Sequence, residues 1–166
     1  MELIYVRDEV LPKAYTLLPD EMNTKEASLM LLTTGLQESL LKHRYQIVQG
    51  KPGAKGPARG LWQFEKGGGV RGVLTHRASA GLAKEIQAHM GYGKGVDAAY
   101  EALEHDDVFA AAFARLLYYT DPYNLPEVGQ TQRAWKLYER TWRPGKPKPD
   151  TWPKHYLESA KALGLS

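Results

Sequence analysis

A glutamate near the end of a leucine-rich segment is the first place in this 166-residue chain where residue type and setting suggest chemistry. Glu38 lies in Thr33-Thr34-Gly35-Leu36-Gln37-Glu38-Ser39-Leu40. A carboxyl held against apolar neighbours loses solvation of its charged form, so its pKa rises. Such a group holds a proton near neutral pH and can give it to a glycosidic oxygen as a general acid. The plain alternative is a solvated glutamate at a helix end. Other chemistries have less support. Cysteine is absent, which excludes a disulfide framework, a zinc-thiolate site, an iron–sulfur cluster and a cysteine nucleophile. His43, His76, His89, His105 and His155 never fall at i,i+4 spacing, so no helical metal pair is predicted. Gly67 to Gly72 fits G-x-G-x-x-G but lacks a surrounding βαβ unit and is expected to be a flexible loop. No G-x-S-x-G elbow is present. Neither a metal nor an organic cofactor is called for.

The elements that must hold Glu38 follow from periodicity. Asn23-Thr24-Lys25-Glu26 has capping-box spacing and opens a helix whose Leu29, Leu32, Leu36 and Leu40 form one stripe. Basic residues at His43-Arg44 place its predicted end there. An earlier helix is expected from about Arg7 to Leu18. Arg44 to Gln49 alternates like a strand, Gly50 to Pro57 is turn chemistry, and Gly60 to Phe64 reads as a second strand or a tight turn. Helical patterns then run over about 79–90, 96–104, 106–119, 130–142 and 152–163, broken at Pro122 and Pro126. The expected fold is mainly helical α+β: one domain over 1–166, with a Gly-rich extended lobe at about 45–72 and a cleft between lobe and helical body. Residues 143–166 form a proline-rich connection plus a C-terminal helix packed on the rest.

Two segments together carry a resemblance. Glu38-Ser39 at the end of a helix, followed by Gly60-Leu61-Trp62-Gln63, resembles the lysozyme-like superfamily of peptidoglycan cleavers, and within it the lytic transglycosylases and goose-type lysozymes. In those proteins a helix ends in a catalytic Glu-Ser, and a Gly-Leu-Met-Gln segment lines the cleft; here Trp62 replaces the Met. The likeness spans about residues 25 to 75. It implies a lysozyme-like fold, with Glu38 as the acid that cleaves the β-1,4 bond between N-acetylmuramic acid and N-acetylglucosamine. Ser39 would bond near the acid or the sugar, or serve only as a helix-terminal hydroxyl. Gln63 would present an amide to an N-acetylated sugar. Trp62 would offer a face to a pyranose ring, unless it is core.

The same resemblance makes Glu65 a decision point. Goose-type lysozymes carry an acid two residues after that Gln. A cleft-facing Glu65 would permit an inverting hydrolysis with a carboxylate separation of roughly 6.5–9.5 Å. A solvent-facing Glu65 would leave Glu38 to act alone, with the sugar's own 6-hydroxyl closing an anhydro ring. The late Ala-Tyr-Asn-Ala-Gly motif of transglycosylases is missing. Tyr138, in Ala134-Trp135-Lys136-Leu137-Tyr138, and the pair Tyr118-Tyr119 are the candidate substitutes for its tyrosine.

Composition bounds the partners. Twenty-two Lys+Arg against nineteen Asp+Glu give a net charge of +3, with the two signs interleaved. That bias favours an anionic partner. Lys51, Lys55, Arg59, Lys66 and Arg71 would attract cell wall or nucleic acid alike. The expected partner is the glycan strand of peptidoglycan, with no nucleic acid and no membrane insertion, and the protein is expected to be a monomer. The acidic start, Met1 to Glu9, does not read as a secretory signal. With the resemblance, that implies a bacteriophage lysis or virion protein. It would be made in the host cytoplasm and act on the wall after holin-dependent release or as part of a particle. The competing class is a non-catalytic wall-binding or particle-scaffold protein that keeps the cleft without turnover.

Overall fold

The computed structural model describes residues 2–165; Met1 and Ser166, the ends of the expected 1–166 domain, lie outside them. The described chain is mainly helical with one small antiparallel sheet. Helix α1 (Glu2–Tyr5) continues through a wide π-type stretch (Val6–Val10) into α2 (Leu11–Thr16), so the first helical run starts earlier than Arg7. Helix α3 (Lys25–Ser39) opens on Thr24, whose hydroxyl accepts from the Ala27 amide.

Helix α3 stops at Ser39 and not at His43-Arg44. Leu40 and Leu41 both take left-handed backbone conformations (φ 60 and 53), and the Leu40 and Leu41 amides close onto the Leu36 and Gly35 carbonyls. Leu41 thereby folds under the helix and is 2% exposed, while Leu40, the expected last member of the stripe, is turned out. Gly35 permits this, because a Cβ there would meet Leu41 Cδ2 at 2.1 Å.

Strands β1 (Tyr45–Ile47), β2 (Lys55–Arg59) and β3 (Phe64–Glu65) form the sheet in that order. Tyr45 pairs with Arg59 and Ile47 with Lys55, and across the other edge Arg59 pairs with Phe64 and Ala58 with Glu65. Three of the five β2 residues, Lys55 to Pro57, fall in the segment expected to be turn. Pro57 brings no donor to the middle strand, and the next amide, Ala58, donates to the Gln46 side chain at 3.1 Å. Gly60 to Gln63 is a tight turn, closed by the Gln63 amide on the Gly60 carbonyl at 3.0 Å. The triple glycine is not a loop. Lys66–Val70 forms a π-type turn leading into α4 (Arg71–Thr75), with Gly69 pressed against Phe64, where a Cβ would lie 2.6 Å from Cδ1. The extended lobe therefore ends at Glu65.

The remaining helices are α5 (Ala80–His89), α6 (Val96–His105), α7 (Asp107–Tyr119), α8 (Thr131–Trp142) and α9 (Trp152–Ala162). Helix α7 is the centre: Phe109, Ala110, Ala111, Ala112, Phe113, Ala114 and Leu116 are all fully buried. Its run of alanines lets neighbouring backbones approach closely. Two buried carboxylates tie the sheet to this body. Glu104 pairs with Lys55 at 2.6 Å and Arg59 at 3.1 Å, both from β2. Asp107 receives both the Arg44 fork, at 2.9 and 2.7 Å, and the Tyr5 hydroxyl. Helix α9 packs along α3. Among the described residues no helix is long and apolar enough to cross a membrane.

Candidate active site

Glu38 occupies the last turn of α3, which is fixed by Ser39 and Trp62, and its carboxyl is held by Tyr138. Next to it, Ser39 is buried and donates to the Leu61 carbonyl at 2.5 Å, which fixes the helix end onto the Gly60–Gln63 turn. From the same turn Trp62 reaches under α3 and donates its indole Nε1 to the Leu31 carbonyl at 2.8 Å. From α8, the Tyr138 hydroxyl donates to Glu38 Oε2. Tyr138 is itself set by stacking on Trp152 (5.0 Å between ring centroids, 21° between planes) and on Trp142 (6.4 Å, 26°). Behind them Tyr118 bonds to Thr34 and lies 4.6 Å from the Trp142 ring.

Burial pushes the Glu38 carboxyl up to about 7. The Tyr138 hydrogen bond favours the charged form and partly offsets this, and the negative charge of Glu65 raises the value again. Burial and the Glu38 charge together push the Tyr138 phenol above its ordinary range, so it stays a donor. The result is a half-buried carboxyl that is protonated on a substantial fraction of molecules at neutral pH, with an oriented donor beside it and a second carboxylate within electrostatic reach.

Glu65 lies in an open cleft of about 1040 Å³. One wall is Gln63 to Gly69 with Gly72 and His76, and the other is Thr120 to Pro122 with Arg140 to Arg143. Glu38 does not itself line this volume. The connection runs through Trp142, which lines it, stacks on Tyr138 and donates its indole to the Trp62 carbonyl at 2.8 Å. The negative charge of Glu65, on the cleft wall, reaches Glu38 and helps to raise its carboxyl.

The structure distributes the expected site residues unevenly. Glu38 and Tyr138 are in contact, Gln63 and Glu65 line the cleft beyond them, and Gln63, with a positive φ of 54, donates from its amide to Gly60. Ser39 offers its hydroxyl to neither acid nor sugar; it is a clamp between two backbone segments. Trp62 offers no ring face, being 0% exposed and committed to α3. Tyr119 is 44% exposed, outside the cleft lining, and it is Tyr118, one position earlier, that senses the Glu38 charge. The residue missed is Trp142. Its signal was present in the spacing of Trp135, Tyr138 and Trp142, three and four apart on one face of α8. Among the described residues no group of three or more His, Cys, Asp or Glu could hold a metal ion. Compared with protein-family models, with curated proteins and with solved structures, the chain matches none.

Proposed function

We propose that this protein is a lysozyme-like glycosidase that cleaves the bond between N-acetylmuramic acid and N-acetylglucosamine in peptidoglycan, with Glu38 as general acid. The observation that carries the reading is the environment of Glu38: raised to about 7 by burial, held by Tyr138, and coupled to a second carboxylate in an open cleft. Protonated Glu38 gives its proton to the glycosidic oxygen as the bond to the anomeric carbon breaks, and the alcohol leaves neutral. Glu65, on the cleft wall, stabilises the positive charge that develops on the sugar and takes a proton from the attacking water. Water enters the products and both carboxyls return to their starting states after exchange with solvent. The cleft position of Glu65 supports hydrolysis over closure of an anhydro ring.

The test is clearing of purified cell walls together with mass spectrometry of the released fragments. Clearing by the wild type and loss of about 10²–10⁴-fold in rate for Glu38→Gln, with wall binding retained, is the expected result. Fragments carrying the added water are expected; fragments lighter by one water would replace Glu65 chemistry with the anhydro route. Undiminished clearing by Glu38→Gln would remove Glu38 from the mechanism.

A further inference from the structure

The charged side chains on the cleft wall are largely spoken for. Arg140 makes a fork to Asp121, at 2.9 and 3.1 Å. Lys66 pairs with Asp97 at 3.1 Å. Arg143 differs from both. It is exposed, it lines the cleft, and among the described residues no carboxylate lies within ion-pair distance of it. Its side chain donates from Nε to the Arg140 carbonyl at 3.5 Å, the outer limit of a hydrogen bond.

A second, independent feature falls on the same residue. Arg143 ends α8 in a left-handed conformation (φ 50, ψ 57). At that position glycine is the favoured residue, and a side chain with a Cβ costs roughly 1–2 kcal/mol. Keeping an arginine where glycine fits better, with one long hydrogen bond and no carboxylate partner among the described residues, is the kind of local conflict that marks a functional residue. A guanidinium presents a planar fork matched to a carboxylate.

We propose that Arg143 is a specificity-determining residue that binds a carboxylate of the bound glycan. This rests on the glycosidase reading above. Two sources on a peptidoglycan strand carry that group: the lactyl ether of the muramic acid, free once its peptide is removed, and the peptide stem.

Affinity measured by calorimetry in the Glu38→Gln background, where ligand survives, separates the possibilities. Three probes are used: chitotetraose with no carboxylate, the muropeptide tetrasaccharide with stems intact, and the same tetrasaccharide after amidase treatment. A charge-assisted bond predicts about tenfold or more tighter binding of at least one carboxylate-bearing probe than of chitotetraose. Whichever probe shows the gain identifies the carboxylate. Adding Arg143→Gln or Arg143→Gly brings that ratio near one, and Arg143→Lys keeps part of it. The glycine variant also relieves the left-handed strain, so its loss of discrimination cannot be assigned to misfolding. A ratio near one without any change at Arg143, no binding of any probe, or a ratio that survives both variants overturns the proposal. Failure of wild-type protein to cleave walls, with the ratio intact, would instead overturn the glycosidase reading and leave the carboxylate site standing.

Discussion

Burial of Glu38 has a thermodynamic consequence that does not depend on any substrate. Its folded pKa of about 7 stands above the ordinary 4.5, so the folded state binds the proton more tightly than the unfolded chain does. The sign follows: the contribution is fully present below pH 4.5 and is lost as pH rises through 7. At 1.36 kcal/mol per unit the loss is roughly 3 kcal/mol. Glu38→Gln removes the titration and keeps an acceptor for Tyr138. Its melting temperature is therefore expected to match the wild type near pH 4.5 and exceed it by several degrees at pH 8, at about 2–4 °C per kcal/mol. Parallel melting curves for the two proteins across that range would rule out a raised carboxyl. Glu38 itself was legible, because a leucine stripe around a carboxyl states in the sequence that solvent is scarce. The fates of Ser39 and Trp62 were not. Both are decided by which backbone carbonyl each donor meets, Leu61 and Leu31, and neither partner is near in sequence.

At the scale of elements, helices were readable and their ends were not. The buried faces of α5 to α9 repeat at helical spacing, and the expected spans differ from the observed ones by a residue or two. What stops α3 early is tertiary, namely the return of Leu41 beneath Gly35, and no local cap announces it. Strand β2 was hidden for a similar reason. Lys55-Gly56-Pro57-Ala58-Arg59 has no alternation, and it is held extended by Glu104 and by the Gln46 side chain. The turn that follows gives a sharp test. Gly60 has φ 79, and a Cβ would lie 2.5 Å from the Leu103 carbonyl oxygen, which is backbone and cannot swing away. Left-handed strain alone costs an alanine about 1–2 kcal/mol. The clash adds to it, so Gly60→Ala is expected to lose more than about 2 kcal/mol. Gly81, inside α5 with nothing within 4 Å of its built Cβ, runs the other way. There alanine should gain about 0.5–1 kcal/mol from helix propensity. Denaturant melts of the two variants should move in opposite directions; a Gly60→Ala midpoint at or above the wild type's would show that the turn is not pinned on α6.

Across the whole molecule, the candidate site depends on the far end of the chain. Helix α9 docks on α3 through apolar packing. His155 Nδ1 and Ser159 Oγ are buried without a hydrogen-bond partner among the described residues, and the polar bonds of α9 run to other elements: Arg7 donates to the Ala162 carbonyl at 2.8 Å, Trp152 Nε1 to the Thr131 carbonyl at 3.2 Å and the Gly129 amide to the Tyr156 hydroxyl at 2.9 Å. The connection before it is fastened beside the acid: Gln37 donates to the Lys148 carbonyl at 3.0 Å and accepts from Thr151 at 3.1 Å. Trp152, 1% exposed at the head of α9, backs the ring of Tyr138. Trp152→Ala should cost about 3–5 kcal/mol in stability. It should also change the acid, and two effects compete. A loosened Tyr138 weakens a hydrogen bond that lowers the Glu38 pKa, whereas water entering the vacated space relieves the desolvation that raises it. Desolvation is the larger of the two, so the Glu38 pKa should fall from about 7 toward its ordinary value, and the alkaline limb of the cleavage rate should move to lower pH with it. Trp152→Phe, which keeps a ring behind Tyr138, should hold the limb near its wild-type place. Measured at a temperature where Trp152→Ala is still folded, an unmoved alkaline limb would make α9 a stabilising helix with no influence on the acid.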